Sequence, residues 1–205
     1  MGNKASATRE RILQQGLEML SQDGLSGVTL GQMAERVGMS KSGLFAHFRS
    51  KDDVQIDLLE HSAKLATVQV VEPAMAATEG LPRLEALVYR WFGWAQKAGL
   101  PGGCPAAAAM FELDDVEGPV RDKVAAMEAE WKGFLSQITR QAVALGHLRP
   151  DLDVEQFVWE LSGIYLSHHV AHRFNRSPDA DERAHTAFQA LLERARPWGK
   201  WPRLE

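Results

Sequence analysis

Cysteine is nearly missing from this chain: Cys104 is the only one among 205 residues. No disulfide can close within the chain and no cysteine-rich zinc site can be built, which fits a reducing compartment. Long apolar runs are missing too. The longest uncharged stretch that invites a membrane reading, Ala98 to Phe111, is too short to span and is interrupted by Pro101, Pro105 and three glycines. The opening MGNKASATRER passes straight into charge with no apolar block behind it, unlike a secretion leader. The expectation is a cytoplasmic chain that does not enter a membrane. MGNKAS does fit the acylation pattern M-G-x-x-x-[ST], but one acyl chain without a second anchor holds a membrane only marginally. The sequence also lacks H-E-x-x-H, G-x-S-x-G and a glycine-rich phosphate loop, which removes the commonest hydrolase and nucleotide-binding readings.

What the chain does contain is an ordinary globular mixture, 45% hydrophobic and 24% charged, enough to bury a core without the charge excess of a disordered segment. The net charge of −4 hides an asymmetry between the two ends. Residues 1–52 hold seven Lys or Arg against five acids, whereas the remainder holds 16 against 22. The positive end is therefore the candidate for meeting phosphate.

Helical periodicity runs throughout, and no stretch alternates as a half-buried strand does, so the fold class is all-α with about nine helices. The first helix is expected from Thr8 to Gln22, with Gly24 as its stop. Thr29-Leu30-Gly31-Gln32 has the form S/T-x-x-E/Q, in which hydroxyl and amide side chains satisfy each other's free backbone amides, so a second helix starts there and ends at Gly38. Ser40 caps a third, Lys41 to His47, and Ser50 caps a fourth that runs toward Glu72 and halts before Pro73. Further helices are expected at Leu81–Ala98, Pro105–Leu113, Pro119–Leu145, Asp153–Phe174 and Asp179–Ala195, separated by glycine and proline breakers.

The most informative stretch is Leu30 to Lys51, LGQMAERVGMSKSGLFAHFRSK, which reads as a helix-turn-helix. Ala34 is small where two helices must approach, Gly38 follows four residues later for the turn, and Leu44 comes six after that as the buried anchor. Met33, Val37, Met39 and Phe48 fill the seam, leaving Lys41, Ser42, Gly43, Phe45, Ala46 and His47 outward. Val28 to Lys51 resembles the TetR-family signature, in which a threonine opens the second helix and an S-K-x-x-[LI]-[YF]-x-[HY]-F-x-[ST]-K string follows. The resemblance implies that Thr29, Ser40, Lys41 and Lys51 contact phosphate, while Ser42, Gly43, Phe45 and His47 face or approach bases. Phe45 departs from the more frequent tyrosine and lacks its hydroxyl. Arg36 and Arg49 either touch phosphate or are plain solvated charges.

The same resemblance implies an N-terminal module (1–52) that binds operator DNA, joined by the fourth helix to a larger ligand-binding and dimerisation domain (53–205), with no cofactor. The implied partners are double-stranded operator DNA, a second copy of the chain and a small apolar or amphipathic effector. The segment Gly102-Gly103-Cys104-Pro105, with Phe111 to Asp115 and Gly118 to Asp122 after it, is similar to one found in a subset of TetR-type regulators. Trp91, Trp94, Met110, Phe111, Trp131, Phe134, Trp159 and Tyr165 are candidates to line the effector pocket, or else simply make core. Phe157, Leu161, Ile164 and His168 on the eighth helix, with Phe188 and Leu191 on the ninth, are candidates for a four-helix dimer seam, or again for core. His168 and His172 share a helical face at a spacing that can hold a metal, so the alternative is a small helical metal-dependent enzyme using that pair. A third reading is a DNA-binding factor with no ligand. Cys104 is either a small packing residue or an oxidant sensor.

Overall fold

A computed structural model of the chain describes residues 2–197, with side-chain surroundings from Ser6 onward; Met1, the start of the acylation pattern, lies outside the described residues. Among the described residues every regular element is helical: α1 Gly2–Gly27, α2 Leu30–Val37, α3 Lys41–Phe45, α4 Lys51–Ala66, α5 Glu72–Met75, α6 Leu81–Trp91, α7 Trp94–Lys97, α8 Pro105–Glu112, α9 Pro119–Ala144, α10 Val154–Arg173 and α11 Ala180–Ala195. The nine expected helices are all there, and α5 and α7 are single turns added to them. None is long and apolar enough to cross a membrane.

The first helix begins at Gly2 where Thr8 was expected and the third ends at Phe45 where His47 was expected, and three further differences have a local reason at glycine or proline. The first helix does not stop at Gly24 but passes through it with a kink, because glycine takes φ 70, ψ −174 there and the chain resumes helical turns to Gly27. The fourth does not halt before Pro73. A π-helical turn, Thr67–Val71, leads into α5, and Pro73 sits in that helix's first turn, where a missing N–H costs nothing. The stretch Leu81–Ala98 is two helices, since Phe92 is extended and Gly93 takes a left-handed φ of 64.

The described residues form two compact units: those up to Thr67 together with Trp94–Glu128, and Val68–Gly93 together with those from Ala129 on. In the first, α1 packs on α2, α4 and α8. Ile12, Leu17 and Leu20 of α1 are buried with Leu58 and Leu59 of α4. Gly16 permits the approach: a Cβ there would lie 2.8 Å from Leu58 Cδ2 and 2.9 Å from Met33 Cε. Arg9 pairs with Asp57 and also lies over the Phe48 ring, 5.4 Å from its centroid. Lys123 donates to Glu60 at 2.7 Å, a hydrogen bond that holds the Glu60 carboxyl below its ordinary pKa.

In the second unit α10 and α11 pack as a helical hairpin and α5 packs on α6. Its core holds Leu84, Leu87 and Val88 of α6, Leu135 and Ile138 of α9, Phe157 and Leu161 of α10, and Phe188 and Leu192 of α11. Tyr89 and Phe92 meet the Phe188 ring edge-on, at 5.7 and 6.5 Å between centroids.

Candidate nucleic-acid interface

The reading head is set by its helix ends. Thr29 caps α2, its hydroxyl accepting from the Gln32 amide at 3.2 Å. The reciprocal half of the expected box is altered, since Gln32 Oε1 takes the Thr29 hydroxyl proton at 2.6 Å instead of reaching the Thr29 backbone amide. Gly38 then closes α2 in the left-handed conformation at φ 67. Its amide donates to Glu35 O, and the Met39 amide reaches back to Ala34 O at 2.9 Å, satisfying carbonyls that the helix end leaves open. Ser40 caps α3 by accepting from Gly43 N at 3.1 Å, and its hydroxyl is 3.1 Å from that of Ser42. Ser50 caps α4 through Asp53 N at 3.0 Å.

These caps decide which way α3 faces. Leu44 is fully buried, with Phe48, Met33 and Ala34 beside it in the core. Lys41, Ser42, Phe45 and Ala46 are exposed, and Gly43 and His47 are half-buried, with the His47 ring 6.5 Å from that of Phe48. Val37 and Met39, expected in the seam, are only half-buried. Thr29, Ser40 and Lys51 are exposed as well.

Gly31 adds a feature that the sequence reading passed over. A Cβ on it would lie 3.4 Å from Lys41 Cε, 3.6 Å from Lys41 Nζ and 3.9 Å from Thr29 Oγ1. The Lys41 ammonium and the Thr29 hydroxyl therefore converge over the first turn of α2, where backbone amides are unpaired by the helix and the dipole favours an anion. Arg36 instead pairs with Glu18 at 3.2 Å, which favours the solvated-charge reading for it.

The candidate effector residues fall into separate groups. In the second unit the Trp91 and Tyr165 rings stack at 3.9 Å and 10°, Trp131 meets Trp91 edge-on at 5.1 Å, and Phe134 lies 5.8 Å from Trp131. Trp159 does not join them: it is 68% exposed. Trp94 is buried in the first unit, where Met110 is half-buried and Phe111 exposed. The indole nitrogen of Trp131 and the hydroxyl of Ser162, one turn before Tyr165, are buried with no hydrogen-bond partner among the described residues.

The residues expected at a dimer seam turn inward. Phe157, Leu161, Phe188 and Leu191 are buried within the chain's own second unit, His168 is 5% exposed, and only Ile164 is half-buried. These side chains are core because the stripe they form faces the α10–α11 packing. The sequence reading missed a second stripe on α10, Trp159, Gly163, Leu166, Val170 and Phe174, of which Trp159 and Phe174 are 68% and 85% exposed. Its four- and three-residue spacing was readable, but the stronger inward stripe masked it.

The histidines of α10 are not gathered with a third ligand among the described residues. His168 and His172 rings are 5.7 Å apart and tilted 40°, and His168 Nε2 is bonded to Asp181 Oδ1 at 2.6 Å. Among the described residues no group of three His, Cys, Asp or Glu could hold an ion. Burial holds His169 below its ordinary pKa, with Arg173 and the neighbouring histidines adding to that. Cys104 is buried ahead of α8, as a packing residue is.

Comparison with known proteins agrees with this geometry. Residues 12–56 match the family model described as bacterial regulatory proteins, tetR family, and residues 80–188 match that of the tetracyclin repressor-like C-terminal domain. A nucleoid occlusion factor, SlmA, of Cronobacter sakazakii is 29% identical over 176 residues, covering 84% of this chain and 88% of that one. The crystal structure of a TetR-family transcriptional regulator from Cytophaga hutchinsonii superposes with a TM-score of 0.84 at 18% identity, covering 95% of this chain and 97% of that one. AibR, solved in complex with isovaleryl coenzyme A and operator DNA, superposes with a TM-score of 0.72 at 18% identity, covering 90% and 98%.

Proposed function

Because this chain belongs to the TetR family of transcription regulators, DNA-binding proteins and not enzymes, we propose that it is a repressor released from a palindromic operator by a small molecule. Thr29, Ser40, Lys41 and Lys51 hold phosphate, and Ser42, Gly43, Phe45 and His47 approach bases in the major groove. The observation that carries this is the outward set of Lys41, Ser42 and Phe45 on α3, together with the meeting of Lys41 and Thr29 at the amino end of α2. Residues 1–52 do the reading, and residues 53–205 do the sensing and the pairing.

The protein acts as a homodimer, because two reading heads on a twofold axis match successive major grooves about 34–36 Å apart. The second copy seats on the outward stripe of α10, where Trp159 and Phe174 are too exposed for a lone chain in water. Gly163 lies within this stripe with open space above it, which admits close approach of another helix. The effector enters the second unit beside Trp91, Trp131, Phe134 and Tyr165. There the unpartnered Trp131 N–H and Ser162 hydroxyl offer donors to a ligand oxygen. Since AibR carries isovaleryl coenzyme A, amphipathic acyl thioesters are the first class to try. Such a ligand weakens operator binding by its differential affinity for the two states of the dimer.

Selection from random-sequence DNA tests the core of this reading. It should enrich an inverted repeat with half-sites about 10–10.5 bp apart or a multiple of that. No enrichment over bulk DNA at moderate salt overturns it. The similarity to a nucleoid occlusion factor favours one second reading, a DNA-binding role outside promoter control. Mapping bound sites across the chromosome separates the two: a few sites beside genes mark a repressor, and many dispersed sites mark the other role.

A further inference from the structure

The end of α1 is gripped by side chains that the reading head itself does not supply. Gly24 kinks α1 at φ 70, ψ −174, and amides just after the kink bond outside the helix. Glu112, the last residue of α8, takes two of them: Leu25 N donates to Oε1 and Ser26 N to Oε2, both at 3.0 Å. A Cβ on residue 24 would lie 2.2 Å from Glu112 Oε1, so glycine serves both the backbone turn and the carboxylate's seat. The loop leading into α8 grips the same end one turn earlier. Gly102 N donates to Ser21 Oγ at 3.1 Å and Gly103 N to Ser21 O at 3.0 Å, while a Cβ on Gly102 would strike Ser21 O at 1.7 Å. From α4, Gln55 Nε2 donates to Leu25 O at 2.7 Å.

We propose that Glu112 is a positioning residue for DNA recognition: its carboxylate ties α8 to the kinked end of α1 and so sets the angle at which α2 and α3 meet the duplex. α8 is bonded to α1 through its last residue, the loop just before it is bonded to α1 through Gly102 and Gly103, and α2 begins five residues after Leu25. A displacement of α8 therefore pulls on the segment that precedes the reading head. A carboxylate accepting two amides makes a tether that is stiff in two directions, stronger than neutral hydrogen bonds and broken as a unit. The consequence for DNA rests on the regulator reading above; the tether itself does not.

The test uses full-length 15N-labelled protein with Glu112→Ala, Glu112→Gln and, as a control five residues further on at an exposed position, Glu117→Gln. Amide exchange at Leu25 and Ser26 should quicken about tenfold or more in E112A and less in E112Q, which keeps one acceptor. Affinity for the selected operator should fall about tenfold in E112A, with an unchanged salt slope because no phosphate contact is lost. E117Q should match wild type in both. Wild-type exchange at Leu25 and Ser26 in E112A overturns the tether. Faster exchange with operator affinity within twofold of wild type overturns the positioning role, and so does a lower melting temperature as the sole change. If the wild-type protein shows no sequence preference, the regulator reading has failed, and the exchange measurement still decides the tether.

Discussion

Phe45 on α3 and Trp159 on α10 are both turned to solvent, at 51% and 68% exposure, but the surfaces around them are built differently. α3 is five residues long, fixed by the Ser40 cap and the Gly38 turn, with Leu44 as its one buried anchor. Its outward side is otherwise Lys41, Ser42 and Ala46, which is what a hydrated, charged groove accepts. α10 is twenty residues long and apolar on two sides: Phe157, Leu161, Tyr165 and His168 face the core, while Trp159, Val170 and Phe174 face out. A polar face with one aromatic suits a partner that comes and goes in water. An apolar stripe four turns long suits one that stays.

The largest effect that sharpens this comparison separates the two sides of α10. Phe157→Ala should cost about 3–5 kcal/mol of folding stability, because it opens a cavity at a fully buried site. Trp159→Ala should leave the folded chain intact and shift the dimer toward monomer, read by sedimentation across a dilution series. Equal losses of melting temperature from the two variants, with no change in mass, would break the distinction between the faces.

The same two helices show what the sequence made legible. The start and the buried anchor of α3 are legible in the sequence because capping and the left-handed turn are local, Ser40 and Gly38 acting on backbone atoms three or four residues away; its end, at Phe45 and not His47, is not. α10 is legible as a helix, but on the sequence alone Phe157, Leu161 and His168 are open to being either dimer seam or core, and they are buried in the chain's own unit. Periodicity reports that a stripe is apolar, not what covers it, and a helix with two stripes offers two answers. The Glu112 grip on Leu25 and Ser26 was out of reach for another reason, since its partners lie 86 and 87 residues apart and no local pattern links them. Phe92-Gly93 lay between those cases, a local left-handed turn inside a pattern that otherwise reads as one helix.

Lys41→Ala tests the polar side of the comparison. Its ammonium lies beside the Thr29 hydroxyl at the first turn of α2, where it would displace one counterion from a bound phosphate. Operator affinity should fall roughly tenfold, and the slope of log affinity against log salt should shrink by about 1, nearly equally on specific and bulk DNA. Loss confined to one base position would move Lys41 from the phosphate set to the base-reading set.

Phe45→Tyr should have the smallest effect and the opposite sign. The residue stands on the exposed side of α3 where the family signature carries tyrosine more often, so the substitution restores a hydroxyl without burying anything new. A hydrogen bond from a neutral hydroxyl to a solvated phosphate contributes about 1 kcal/mol, so the operator Kd should tighten roughly fivefold. Because a phenol brings no charge, it releases no counterion, and the salt slope should stay where the wild type has it. That combination, tighter binding at constant slope, distinguishes a gained phosphate bond from a general increase in electrostatic attraction. Weaker binding would instead place the Phe45 ring against an apolar base edge, such as a thymine methyl, where an added hydroxyl is a cost.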